Sequence, residues 1–158
     1  TSFCEKNNPE LVVETLQSLV ESFENAFEEF GLEKIKTVGD AIVAVAGLSS
    51  HSISPVKSCV DCSYKLREIA NSASMPWDLH LGIHSGSLVA GTVGTKTVQF
   101  DILGKTVNVA FNICDMSVSN QILISSDAWM TARNEIKVKS IGLKRLKSGQ
   151  DIEMLECV

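Results

Sequence analysis

The segment EKIKTVGDAIVAVAG, Glu33 to Gly47, constrains this chain more than any other. It reads as two short strands joined at Gly39-Asp40, the dipeptide chemistry of a tight hairpin turn. The second strand, AIVAVAGL, is apolar at nearly every position. Such a strand needs cover on both faces, so it is expected in the middle of a sheet. The turn also sets Lys36 and Asp40 four residues apart around itself. Solvated turn charges would account for that pair in an isolated hairpin, and the rest of the chain bears on whether they do more.

Before the hairpin, Asn8 is a candidate N-cap and Pro9 suits a first helical turn. Leu11, Val12, Leu16, Leu19, Val20, Phe23, Phe27 and Phe30 recur at three- and four-residue spacing, so an amphipathic helix is expected up to Gly31. Glu21, Glu24, Glu28 and Glu29 lie opposite that stripe and read as a solvated face. After the hairpin, SSHSIS reads as a loop, Val56 to Asn71 as a second helix, and WDLHLGIHSG as a strand. The glycines from Gly86 to Gly94 permit a bulge or a close backbone approach. VQFDILG reads as a strand and KTVNVAFNICDMS as a third helix, with Val107, Ala110, Phe111 and Cys114 on one face. QILISSDAW and the closing KVKSIGLKRLKSGQDIEMLECV supply the remaining strands, the lysines of the latter marking a wet edge. This order is that of an α+β domain, with helices covering one face of a mostly antiparallel sheet.

At 158 residues the chain suits one domain with a real core. Its longest apolar run falls well short of the ~18 residues of a membrane span. The net charge of −5 argues against nucleic acid as a partner. Five cysteines, an odd number scattered through helical and strand-like segments, suggest reduced thiols in the cytoplasm. Cys59 and Cys62 have the spacing of a redox pair but sit mid-helix without Gly or Pro context, so packing is the better reading.

Two stretches, EKIKTVGDAIVAVAGL and LHLGIHSGSLVAGTVGTKTVQFDILGKTVNVAFNI, each resemble a signature of the class III nucleotide cyclases, the adenylyl and guanylyl cyclases. They occur in that family's order and at about its spacing. SFCEKNNPELVVETL is similar to the start of the family's first helix and LKSGQDIEMLEC to its last hairpin. The resemblance implies a ferredoxin-like fold whose first strand would lie before Thr1. Residues 1–158 are therefore expected to form a single catalytic domain, N-terminally truncated, from a larger protein with regulatory domains.

The resemblance also implies roles. Family members form head-to-tail dimers with two divalent metals, Mg²⁺ or Mn²⁺, at each interfacial site; here the dimer would be a homodimer or a heterodimer with another cyclase domain. Asp40 matches the second metal aspartate; the first belongs to the strand before Thr1. Lys36 and Asp101 match the pair that reads adenine, where guanylyl cyclases typically carry Glu and Cys, so ATP is the implied substrate and cyclic AMP and pyrophosphate the products. The peptide at Ile102 matches a backbone contact to the base, and Asn108 matches the asparagine that orients the ribose. Asn112 stands where the family has an arginine that stabilises the transition state. Lys147 is the candidate for a lysine that contacts the triphosphate in some members. Hard carboxylates suit the metals, and cations suit the phosphoryl charge that accumulates as the 3′-oxygen attacks. A lysine donor and an aspartate acceptor suit adenine's ring nitrogen and exocyclic amine. Asn112 keeps a second reading open, a weakly active cyclase-like dimerisation module that binds nucleotide. Of the histidines, His84 is expected to be packed and hydrogen-bonded within the sheet, and His80 and His51 to be strand and loop residues.

Overall fold

The structure is a computed structural model that describes residues 8–49, 54–74 and 77–158. His51, most of the SSHSIS loop and residues 1–7 lie outside the described residues.

Helix α1 (Pro9–Glu29) starts where expected, with the Asn8 side chain accepting the N–H of Glu10 at 3.0 Å. From Leu19 onward its apolar stripe is buried, and Leu19, Phe23, Ala26 and Phe27 pack with Leu32, Cys62, Leu66 and Ala70. Leu11 and Leu16 depart from the expected stripe. Both are exposed, whereas Val12 in the same turns is buried. One of the glutamates read as solvated also has a partner: Glu24 pairs with Lys34 and ties the helix to the next strand. Gly31, at φ 71°, ends the helix in the left-handed conformation that glycine adopts without strain.

Strands β1 (Leu32–Val38) and β2 (Ala41–Ala46) form the expected antiparallel hairpin, with Val38 opposite Ala41 and Gly39 at φ 62° in the turn. Helix α2 (Pro55–Ser72) follows, then β3 (His80–Ile83), β4 (Val89–Val93), β5 (Gln99–Leu103), helix α3 (Lys105–Met116), β6 (Gln121–Ser125), the short helix α4 (Ser126–Thr131), β7 (Val138–Arg145) and β8 (Asp151–Cys157). The α+β expectation holds. Among the described residues the strands form three sheets, β1-β2, β4-β5 and β3-β6-β8-β7, with β3 and β6 parallel and every other pair antiparallel.

The central position expected for β2 is not what the described strands show. It pairs only with β1, and its residues are half-buried. Together with β3, α2 and α3 it lines a cavity of about 240 Å³ whose wall includes Ile42, Ala44, Val56, Leu81 and Phe111. Among the described residues its free apolar side therefore faces that cavity. Two further elements differ from the sequence reading. The glycine-rich segment forms strand β4, and the end of QILISSDAW forms α4, whose first turn is capped by Ser125 Oγ accepting the N–H of Ala128 at 3.2 Å.

Helix α3 is covered on two sides. Val109 and Ile113 are buried against Leu123, Leu146, Ile152 and Met154, while Val107, Ala110, Phe111 and Cys114, the face picked out by periodicity, line the cavity. Gly82 of β3 makes the close approach. A Cβ there would stand 2.3 Å from Cys114 N and 2.8 Å from Ala110 O, so only glycine lets α3 lie this near to β3.

Cys59, Cys62, Cys114 and Cys157 are free thiols. Burial pushes the Cys59 thiol up to about 11 and the Cys62 thiol up to about 12, so both stay protonated and serve as packing groups. No helix among the described residues is long and apolar enough to cross a membrane.

Candidate active site

The β1–β2 and β4–β5 hairpins meet at one charge pair. Lys36 Nζ lies 2.7 Å from Asp101 Oδ1, and the N–H of Ile102 donates to that same oxygen at 2.7 Å. The ammonium and the N–H together hold the Asp101 carboxyl below the usual carboxylate range. A bulge in β1 between Lys34 and Lys36 shifts the register beside Lys36, and Gly91 of β4 faces Asp101 across the ladder without a side chain. Ile102 itself is buried and pairs with Ala90.

Asp40 has different surroundings. It stands exposed at the hairpin turn and borders a second, adjoining cavity of about 550 Å³, together with Asp78, His80, Cys114 and Asp115. Burial raises the Cys114 thiol, and Asp115 and Asp40 raise it further. Among the described residues no group of three or more His, Cys, Asp or Glu side chains could hold a metal ion, so Asp40 is a lone candidate ligand on this part of the chain.

Asn108, Asn112 and Lys147 come together at the outer surface of α3. Asn112 Nδ2 donates to the Asn108 carbonyl at 2.7 Å, and Asn112 Oδ1 accepts the N–H of Lys147 at 3.0 Å. Lys147 Nζ is 2.5 Å from Asp115 Oδ2. Asp115 was not singled out by the sequence reading. Its signal was its place one turn after Asn112 on the same helix face. Arg145, also in the last hairpin, is held by Asp151 through two bonds of 2.8 and 2.9 Å.

His84 is packed as expected. Its Nδ1 lies 2.7 Å from Ser125 Oγ, and burial lowers its pKa. His80 Nδ1 donates to the Ser117 carbonyl at 2.7 Å, which fixes it as a strand residue.

The family model described as the adenylate and guanylate cyclase catalytic domain matches residues 1–155. The chain belongs to that family. A soluble guanylate cyclase of Caenorhabditis elegans, gcy-31, is 29% identical over 160 residues, which cover 98% of this chain and 22% of the relative. The guanylate cyclase domain of RhGC from Catenaria anguillulae, solved in complex with GTP, superposes with a TM-score of 0.94 at 19% identity and covers 99% of this chain and 88% of that one. The adenylyl cyclase CyaB from P. aeruginosa gives a TM-score of 0.90, also at 19% identity, and covers 99% of this chain and 87% of that one. Both likenesses support the cyclase fold. The chain spans only a small part of the curated relatives it matches, 22% and 9% of the length of the first two.

Proposed function

We propose that this cyclase domain is an adenylyl cyclase, converting ATP to 3′,5′-cyclic AMP and pyrophosphate at the interface of a dimer on the cytosolic side of a larger signalling protein. The observation that carries this reading is the contact of Lys36 with Asp101. It sets one donor and one acceptor side by side, the complement of adenine's ring nitrogen and exocyclic amine. The relatives named as guanylate cyclases leave the base open, and these two residues favour adenine.

The other positions take roles around that pair. The Ile102 peptide packs beside the base and Asn108 orients the ribose. Asp40 contributes a carboxylate to bind Mg²⁺ or Mn²⁺, which when bound would supply charge neutralisation at the phosphates. A second carboxylate would come from a strand preceding Thr1, entering the cavity between β2 and β3. Supporting that placement, among the described residues β2 and β3 each pair on one edge and line the same apolar cavity. Val89, Val93, Val98 and Phe100 on and between β4 and β5 are exposed, which supports burial of this hairpin against a second cyclase domain, of the same or another kind.

A second reading, a dimerisation module of low turnover, is favoured by one observation: the Asn112 side chain is uncharged and bonded to two backbone groups, so it supplies no cation to the phosphates. The paired substitution Lys36→Glu with Asp101→Cys tests the first reading. Activity of the full-length protein should move from ATP toward GTP, and an unchanged preference for ATP would refute the assignment.

A further inference from the structure

Asn112 and Asp115 hold one residue, Lys147, at two points. The turn between β7 and β8 is closed on itself by Leu146 N–H donating to the Gln150 carbonyl at 2.8 Å and Gly149 N–H to the Leu146 carbonyl at 2.9 Å. Leu146, 3% exposed, anchors the turn in the core beside Val109 and Ile113 of α3. The N–H of Lys147 is directed out of the hairpin and onto Asn112 Oδ1, and the far end of the same residue reaches Asp115. Asn112 cannot swing away freely, because its Nδ2 is bonded to the Asn108 carbonyl one turn earlier.

We propose that Asn112 is a positioning residue: with Asp115 it presents the Lys147 ammonium over the face of α3 that carries Asn108, ready for the anionic phosphates of the nucleotide. The inference rests on the nucleotide reading above and gives Asn112 a task other than that of a catalytic cation. A lysine side chain is long, and fixing the backbone from which it springs removes part of the ordering cost that a ligand otherwise bears. Its present partner is easily exchanged. The Lys147–Asp115 pair is solvent-exposed, at 74% and 53%, and exposed pairs are held weakly. A phosphate oxygen can therefore take the ammonium from Asp115 while the backbone bond to Asn112 keeps the turn in place.

The test combines hydrogen exchange of the turn peptide spanning residues 146–150 with ATP binding and steady-state kinetics, all on the full-length protein. Asn112→Ala removes the acceptor and should speed exchange of the turn about tenfold, as loss of one hydrogen bond does, and raise KM for ATP more than it lowers kcat. Asn112→Asp keeps an acceptor oxygen for the Lys147 N–H but loses the donor to the Asn108 carbonyl, so its turn should exchange more slowly than that of Asn112→Ala and faster than that of the natural protein. Asp115→Asn should leave exchange of the Lys147 amide unchanged. Unchanged exchange in Asn112→Ala would overturn the clamp. Faster exchange with unchanged ATP binding and KM would overturn its role at the site. Failure of the natural protein to bind ATP would refute the nucleotide reading and the positioning role with it, while the exchange result still decides whether Asn112 holds the turn.

Discussion

Lys36 Nζ and Asp101 Oδ1 are 2.7 Å apart, a contact that joins the β1–β2 hairpin to the β4–β5 hairpin, and the same oxygen accepts the Ile102 N–H within β5. Each member of the pair orients the other. Lys36→Ala and Asp101→Ala should therefore each weaken ATP binding roughly tenfold, and the double substitution should do little more than the worse single one, the non-additivity of groups that act as a unit. Calorimetric titration of the four proteins checks this, and additive losses would show that the two residues act separately.

A pH dependence follows from His84. Half-buried beside Ser125, its imidazole has a folded-state pKa below the ordinary 6.5. Above that ordinary value it is neutral in both the folded and unfolded chain, and its contribution to stability is fully present. As the pH falls the unfolded chain binds the proton first, so stability drops until the folded-state value is passed. Urea midpoints measured at about pH 7.5 and about pH 5.5 should differ by less in His84→Gln than in the natural protein.

The approach of α3 to β3 depends on Gly82. Gly82→Ala places a methyl group 2.3 Å from Cys114 N, which is backbone and cannot step aside, so the helix must shift. A loss of about 1–3 kcal/mol is expected, typical of overpacking. Gly91→Ala meets no atom within 4 Å and should be tolerated. Equilibrium unfolding of the two variants provides the comparison, and equal stability would place the close contact elsewhere.

Local signals in the chain carried most of the architecture. The N-cap at Asn8, the Gly39-Asp40 turn and the three long helices were legible because each depends on neighbours in sequence. What was not legible depends on distant chain. Leu11 and Leu16 satisfy helical periodicity, yet whether they are covered depends on how far α2 and β1 extend beneath them. The apolar run of β2 specifies burial but not its partner, and among the described residues it faces a cavity bordered by β3 and α3. Strand β4 was hidden by Gly91 within it and Gly86 and Gly94 around it, which weaken any strand signal, and by valines that face outward. At the candidate site, Lys36 and Asp101 lie 65 positions apart in the sequence and only the resemblance to the cyclases linked them. Asp115 was missed because its importance comes from Lys147 on a different hairpin.

The central claim is the choice of base, and it is tested most directly by supplying the full-length protein with equal concentrations of ATP and GTP, with Mg²⁺ and separately with Mn²⁺, and quantifying both cyclic products. The Lys36–Asp101 pair predicts cyclic AMP in at least about tenfold excess over cyclic GMP, the discrimination expected when a site's donor and acceptor match one base and not the other. Cyclic GMP as the main product, or nucleotide binding without either product, would contradict it.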